Sequence, residues 1–454
     1  MTPLLVLALA VSTATPVLTL DEALTEARQK NLDLRVARAR LEQAQVLARK
    51  AWSGYLPTLS VGASYTRNSS EAVLPFVTGY AIRDVGVPTS GEGLPGAPTT
   101  LSLVPSSIQD IVIQPANALG AQVELRQAVL APQLWTAIQS ANIAQDVAAL
   151  STANATREIL FAVAQAYFGA ASLQEAIRAS ERLQEVNQAR VKDTQARFEA
   201  GTVTRVALLR AQLDLTRSEQ DLLRAHNSFA SARLALATLL QRDANFQLAL
   251  PPVPEVPEAQ QDLATQALEE RPDVAAARRN VDLARVRKTG AWLAYAPSLG
   301  LNAAYRLSNT GGFTGENSTW AITLGAQWVL WDGGLREASL REESARLAEA
   351  SALQTQAEVR VSEEVARARL EYENARANLS KAEEALSLAR ESQRLTDISF
   401  KAGVATYLEV ADANAALTGA EVGFVAERLQ TSVAALRLLR AAGMLFNDEL
   451  KAGP

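Results

Sequence analysis

One histidine, no cysteine and two methionines are all that this 454-residue chain offers for soft-metal or nucleophilic chemistry. Zinc sites draw on His and Cys ligands and copper relays on Met and Cys, so neither can be assembled from this set. His226 sits next to Ala225 in a helical stretch and reads as a helix-surface residue rather than a catalyst. No glycine-rich phosphate loop is present. Acidic residues (49) and basic residues (44) are interspersed and leave a net charge of -5, with no basic excess to hold nucleic acid. The chain is therefore expected to bind no cofactor and not to be an enzyme. What is unevenly placed is its tryptophan, tyrosine and glycine, and those residues are positioned by a repeated architecture.

The repeat is visible at a constant offset of 240 residues. Asp33 meets Asp273, Ala37 meets Ala277, Arg38 meets Arg278, Trp52 meets Trp292, Tyr55 meets Tyr295, Pro57 meets Pro297, Leu59 meets Leu299 and Tyr65 meets Tyr305. Internal similarity at a fixed period marks duplicated supersecondary units. Further on, Arg197-Phe198-Glu199-Ala200-Gly201 resembles Ser399-Phe400-Lys401-Ala402-Gly403 at an offset of 202. The first half thus carries an insertion of 38 residues between Tyr65 and Gly120. Its prolines and glycines (Pro75, Gly79, Pro88, Gly91, Gly93, Pro95, Gly96, Pro98) read as loop. The halves join at Pro251-Pro252-Val253-Pro254-Glu255-Val256-Pro257, a stiff extended linker.

Residues 21–52 and 259–292 read as helices of moderate length. The stretches 133–200 and 334–402 contain no proline and run for about 100 Å at 1.5 Å per residue, which means a coiled coil or a helical tube. Leu208, Leu215, Leu222, Phe229 and Leu236 fall seven apart, and Ala211, Ser218, Ala225, Ala232 and Leu239 follow three residues later. That is a heptad seam with small residues at one position, which lets helices approach closely. Val410, Leu417, Phe424, Thr431 and Leu438 echo it, and Leu160, Val163, Tyr167, Ala170 and Leu173 keep a three-four spacing. Each long helix ends at Gly201 or Gly403, residues able to take the left-handed conformation that closes a helix, and a new helix follows at once. These are hairpin tips.

Four segments change to a period of two: 59–65, 121–126, 299–305 and 320–330. Apolar residues alternate there with small or polar ones, the mark of transmembrane β-strands. They form two hairpins, the first around a long irregular loop and the second around 309–318. All six tryptophans (Trp52, Trp135, Trp292, Trp320, Trp328, Trp331) lie in or beside these segments, and Tyr55, Tyr65, Tyr295 and Tyr305 join them. Aromatic residues so gathered form membrane-interface belts; the belt expected here is Trp52, Trp292, Trp320, Trp328, Trp331, Tyr65 and Tyr305. Four strands cannot close a barrel, and open edges are not tolerated in lipid. The chain must therefore pool strands with copies of itself.

At the front, Leu4–Val11 is an apolar run of signal length, too short to span a bilayer, and Ser12-Thr13-Ala14 suits a signal peptidase, with Ala8-Leu9-Ala10 as an alternative. Met1-Thr2-Pro3 carries no Lys or Arg, and no Cys follows to accept a lipid anchor. The expected organisation is a signal peptide over 1–14, a first repeat over 15–250 with a β-hairpin at about 58–127, a linker over 251–258, and a second repeat over 259–448 with a β-hairpin at about 298–331.

This order of elements resembles the TolC-like outer-membrane efflux protein family over essentially the whole mature chain. Leu18-Thr19-Leu20-Asp21-Glu22-Ala23-Leu24 resembles the family's opening helix. Arg271-Pro272-Asp273-Val274 and Ala296-Pro297-Ser298-Leu299 resemble its second-repeat signature, Trp331-Asp332-Gly333-Gly334 its strand-to-helix junction, and Phe198–Gly201 and Phe400–Gly403 its tip turns. Leu130-Ala131-Pro132-Gln133 departs from the glycine pattern of the junction. The resemblance implies a mainly α fold with transmembrane β: a long coiled-coil helical barrel joined to an outer-membrane β-barrel, four strands per protomer and twelve per homotrimer. It implies an exit duct of a tripartite efflux or type I secretion system in the outer membrane. Its partners would be outer-membrane lipid, a periplasmic adaptor (membrane fusion protein) and an inner-membrane pump of RND, ABC or MFS type. The adaptor would meet the tips Gly201, Thr202, Val203, Thr204, Gly403, Val404, Ala405 and Thr406. Glu409 and Asp412, three apart on one helix face, would ring the periplasmic entrance with carboxylates. The charged lock of some relatives is not carried over, since Ala207 and Ala405 stand in its place, with Arg205 or Arg210 nearby. The alternative is a structural coiled-coil scaffold outside any membrane.

Overall fold

The computed structural model describes residues 16–84, 101–257, 263–311 and 316–445. The expected signal peptide, residues 85–100 of the first insertion, 258–262 at the linker and helix start, 312–315 of the second hairpin's loop and the last residues of the second repeat lie outside them. In chain order the elements are β1 (Val17–Leu18), α1 (Leu20–Lys30), α2 (Leu32–Ser53), β2 (Thr58–Arg67), β3 (Ala72–Asp84), β4 (Leu101–Gln114), β5 (Asn117–Leu130), α3 (Pro132–Glu199) and α4 (Arg205–Leu240). The second half supplies β6 (Gln247–Leu248), α5 (Leu263–Glu270), α6 (Pro272–Leu293), β7 (Ser298–Ser308), β8 (Ser318–Gln327), α7 (Leu335–Lys401) and α8 (Tyr407–Ala441). No described helix is long and apolar enough to cross a membrane. The chain divides into two compact units, one made of Leu47–Ala141 with Val286–Ser344, the other of Met1–Val46, Asn142–Arg285 and Ala345–Pro454.

The second of these units is helical. Its main core gathers Leu24 of α1, Leu160 and Tyr167 of α3, and Leu236 and Leu240 of α4, with Phe246 and Leu248 beside them. The heptad residues Leu208, Ala211, Ser218 and Leu236 are buried while His226 is exposed, as a helix-surface residue should be. A smaller core joins Ala267 of α5 and Val274 of α6 to Val361 and Val365 of α7 and Leu438 of α8. β1 and β6 form a short parallel pair that brings residues 17–18 beside residues 247–248.

The expected single helices are each broken once. Asn31 ends α1 and starts α2: its Oδ1 accepts from the N–H of Asp33 (2.9 Å), and its Nδ2 donates to the Leu239 carbonyl (3.0 Å). In the second half Pro272 begins α6, a position where its missing N–H costs nothing.

The Arg271-Pro272-Asp273 motif at that second break is a staple. Arg271 pairs with Asp273 (2.7 Å) and with Glu364 of α7 (2.7 Å), and reaches the Ala441 carbonyl (3.3 Å). Burial alone would raise the Asp273 carboxyl, but the hydrogen bonds and charge of Arg271 outweigh it and hold the group below the ordinary value of 3.8. A depressed folded pKa means the stabilisation is present above 3.8 and is lost as pH falls through the folded value. Arg271→Ala is expected to cost about 1–2 kcal/mol at neutral pH, less than a fully buried pair because the two carboxylates are about a third exposed. Thermal melts should show Asp273→Asn with a flatter acid limb below pH 3.8 than the parent. Parallel acid limbs in the two proteins would remove Asp273 from this role.

In the other unit, four strands form one antiparallel sheet in the order β2-β5-β7-β8. The strand expected to run to Leu330 stops at Gln327. The insertion expected to be irregular loop instead contains a second hairpin, β3 with β4. Its prolines, Pro75 and Pro105, are tolerated because a two-stranded ribbon has a free edge on each strand, so a missing N–H need not break the ladder. Register shifts at Val77/Gly79 and Gly79/Tyr80 absorb the irregular sequence.

Candidate functional site

The register of the four-stranded sheet sorts its side chains into two faces. One face carries Leu59, Val61, Val123, Leu125, Tyr305, Trp320, Ile322 and Leu324, aligned in rows such as Val61–Val123–Tyr305–Trp320 and Leu59–Leu125–Ala303–Ile322. The other carries Thr58, Ser60, Gln122, Glu124, Arg126, Asn302, Arg306 and Thr323. The apolar face is bare: Val61, Trp320 and Ile322 are 74, 74 and 65 % exposed. Water would not tolerate so continuous an apolar surface on a monomer, whereas lipid requires it. β2 and β8 each pair on one side only, leaving two open edges.

All seven aromatic residues expected at the membrane interfaces are exposed. Tyr305 and Trp320 are cross-strand neighbours near the hairpin ends, and Tyr65 donates to Asn117 Oδ1 (3.0 Å) beside Arg67 (2.6 Å). Trp52, Trp292, Trp328 and Trp331 lie at the opposite, helix-bearing ends of the strands. Trp328 donates to the Tyr295 carbonyl (3.0 Å). Trp320 and Trp328 are eight residues apart, about 27 Å along an extended strand, which suits a tilted crossing of the hydrocarbon layer. The Trp331-Asp332-Gly333-Gly334 junction turns through positive φ at Gly333 (74°) and Gly334 (89°), and Arg336 pairs with Asp332 (2.8 Å) to fix it. Its first-half counterpart needs no such turn, because Pro132 starts α3 directly after β5.

The helical tips are built twice in the same way. Gly201 has φ 75°, its N–H donates to the Phe198 carbonyl (2.9 Å), and that of Thr202 donates to the Arg197 carbonyl (2.9 Å). Gly403 has φ 76°, with matching bonds to Phe400 (3.0 Å) and from Val404 to Ser399 (2.9 Å). This pattern closes a helix C-terminus and calls for glycine at the left-handed residue. Thr204 and Thr406 then cap α4 and α8. Val404 is 81 % exposed. A tie unseen in the sequence joins the two turns: the Arg197 guanidinium stacks over the Phe400 ring at 4.8 Å. Spacing gives no hint of it, because the partners are 203 residues apart.

The two acidic residues expected near the entrance are not equivalent. Glu409 closes a capping box, accepting from the Thr406 N–H (2.6 Å) and hydroxyl (2.9 Å), and those bonds hold its carboxyl below the usual range. Asp412 is exposed and lines a groove between α3, α4 and α8 with Arg210, Asp214 and Arg217. Arg205, the other candidate cation, is the first residue of α4. No group of three His, Cys, Asp or Glu among the described residues is arranged to hold a metal ion.

Two segments, residues 23–241 and 263–444, match the family model described as outer membrane efflux protein. The chain belongs to that family. Among solved structures, the outer membrane protein VceC of Vibrio cholerae aligns with a TM-score of 0.71 and 21% identity, over 93% of this chain and 96% of that chain. The CmeC outer membrane channel of Campylobacter jejuni gives 0.74 and 16%, over 94% and 85%. The MtrE outer membrane channel of Neisseria gonorrhoeae gives 0.71 and 20%, over 93% and 88%. At these identities the likeness shows the fold, in which a long helical part is joined to a β domain. No curated protein matches the chain. Membership in the efflux family makes the protein an outer-membrane channel that extends into the periplasm and passes efflux substrates outward. It does not favour a scaffold outside the membrane. The family is one of channels, not of enzymes.

Proposed function

We propose that three copies of this chain pool their strands into one twelve-stranded barrel and their helices into one tube, forming the outer exit of an efflux machine. The observation that carries this is the sheet with one apolar face and two unpaired edges, β2 and β8. In lipid each open edge leaves several backbone groups unsatisfied. Pairing β8 of one copy with β2 of the next removes every edge at once. The belt residues Trp52, Trp292, Trp320, Trp328, Trp331, Tyr65 and Tyr305 then anchor the barrel at the two lipid–water boundaries. The signal peptide over 1–14 directs export, and the repeats over 15–250 and 259–448 are the two structural halves of each protomer.

The tips Gly201–Thr204 and Gly403–Thr406 are the docking points for a periplasmic adaptor, which couples the duct to an inner-membrane pump. Their support is the repeated, exposed turn geometry and the Arg197–Phe400 tie that fixes one turn against the other. Glu409 and Asp412 form the acidic entrance, with Asp412 the freer carboxylate. Three copies would favour cations there, and Arg205 or Arg210 takes the part of the closing cation, Arg210 sharing a groove with Asp412 and Arg217.

The deciding measurement is the mass of the detergent-extracted protein from outer-membrane fractions, by light scattering. A trimer of the 48.6 kDa chain is expected, reduced by the signal peptide. A monomer that makes no pore in bilayers would overturn the assembly. For the tips, Gly403→Val forces a β-branched residue to φ 76° with no neighbour within 4 Å of its Cβ, a local strain of about 1–2 kcal/mol. The variant should still assemble in the outer membrane while drug susceptibility of the host rises toward that of a strain lacking the duct. Full export by the variant would separate this turn from adaptor docking.

A further inference from the structure

The polar face of the four-stranded sheet carries three charges within its strands, and they do not cancel. Glu124 accepts from Arg126 through Nε (2.8 Å) and Nη2 (2.9 Å), and from Asn302 Nδ2 (2.7 Å), and it also feels the charge of Arg306 one diagonal step away, so a single anion faces two cations. The third charge is Arg306. Its row runs Gly62–Gln122–Arg306–Thr319. Glycine offers no side chain there, and the other two neighbours are neutral and shorter. Arg306 is exposed and stands two residues before the end of β7, close to the hairpin end of the sheet and far from the helix-bearing end. The sum on this face is one positive charge per chain.

We propose that Arg306 supplies a ring of fixed positive charge near the outer mouth of the barrel, which favours carboxylate- and phosphate-bearing cargo at the exit. The inference rests on the reading that copies of the chain pool their strands into one barrel with the polar face inward. Rings of Arg or Lys are how pores select anions. A guanidinium also offers five donors in a planar fork that matches carboxylate and phosphate oxygens. The preference screens with salt: the Debye length falls from about 10 Å at 0.1 M to about 3 Å at 1 M.

The test uses the full-length assembly in planar bilayers under a dilute KCl gradient, reading the reversal potential, with tripolyphosphate as the polyanion probe. Arg306→Gln is expected to lower the chloride-to-potassium permeability ratio about twofold, with the difference shrinking in molar salt. Block by tripolyphosphate added from the hairpin side should weaken in Arg306→Gln and persist in Arg306→Lys, which keeps the charge. Oligomeric mass is measured on the same samples. Arg306→Gln pores of normal mass with the parent's ion preference and the parent's block would overturn the exit ring. Loss of the oligomer in the parent itself would instead overturn the pooled barrel, and the ring with it.

Discussion

Ile322→Arg is expected to abolish the assembled duct, and Thr323→Arg, one residue along, is expected to leave it intact. Ile322 lies mid-strand in β8, on the apolar face, in the row with Leu59, Leu125 and Ala303. An arginine placed toward lipid near the bilayer midplane costs about 2–4 kcal/mol. Three copies in one barrel bring this to roughly 6–12 kcal/mol, comparable to the whole stability of a typical folded domain. β8 is also an edge strand, so the penalty falls where the proposed barrel pairs a second copy. Thr323 points to the other face, opposite Asn302 and in line with Arg126. That face already carries charge and, in the assembly, water. Thr323→Arg should therefore insert and change conductance rather than assembly. Unheated gel electrophoresis of outer-membrane fractions distinguishes the two. A stable oligomer in Ile322→Arg, or its loss only in Thr323→Arg, would mean that the faces have been assigned the wrong way round.

The contrast between these two adjacent residues shows what kind of information the sequence carried. Period-two alternation made β2, β5, β7 and β8 legible, because one face meets lipid and the other does not. The same logic failed for β3 and β4. Both faces of that ribbon carry apolar residues, Val73 and Val77 on one and Leu74 and Phe76 on the other, and Pro75, Gly79 and Pro105 mask what period remains. β1 and β6, two residues each, are too short to have a period; tertiary packing around Tyr167 makes them. The long helices were legible from the absence of proline and from the heptads. The breaks at Asn31 and Pro272 lie where a local cap competes with helix continuation, and the residues around them look helical on either side. At the tips, the repeated Phe-x-Ala-Gly pointed to the turn. It did not point to the stacking of Arg197 on Phe400, which depends on how two helices lie against each other. Glu409 was legible as an acidic residue after a turn. Its role in capping Thr406 follows from the same three-residue spacing, a Thr-x-x-Glu box, and that signal was available in the sequence.

Tyr167→Ala is expected to be the most damaging single change in the helical unit, and Tyr167→Phe a mild one with a specific signature. Tyr167 is fully buried, and its hydroxyl lies 2.7 Å from both the Leu18 and the Ala249 carbonyls. It thus joins α3 to the β1–β6 pair and its flanking residue Ala249. Truncation to alanine removes a large buried ring and leaves a cavity, at a cost of about 3–5 kcal/mol. The Phe variant keeps the packing and loses the hydrogen bond, about 1–2 kcal/mol. The Leu18 carbonyl still receives the Ala249 N–H at 3.1 Å, so the Ala249 carbonyl is the group left short. Hydrogen exchange should accordingly speed up around residues 247–249 in Tyr167→Phe while the rest of the helical core stays protected. The pH dependence separates the two effects further. Burial pushes the Tyr167 phenol up to about 12, helped by the nearby carboxylates of Glu22 and Asp21. A raised folded pKa means stability is fully present below the ordinary value of 10.0 and falls as pH rises toward 12, because the unfolded chain releases its proton first. Thermal melts of the parent should lose stability over that window more steeply than those of Tyr167→Phe. If Tyr167→Ala melted with the parent, the hub would have to be sought elsewhere in the core; if Tyr167→Phe kept the parent's alkaline slope, the phenol would not be the group that titrates.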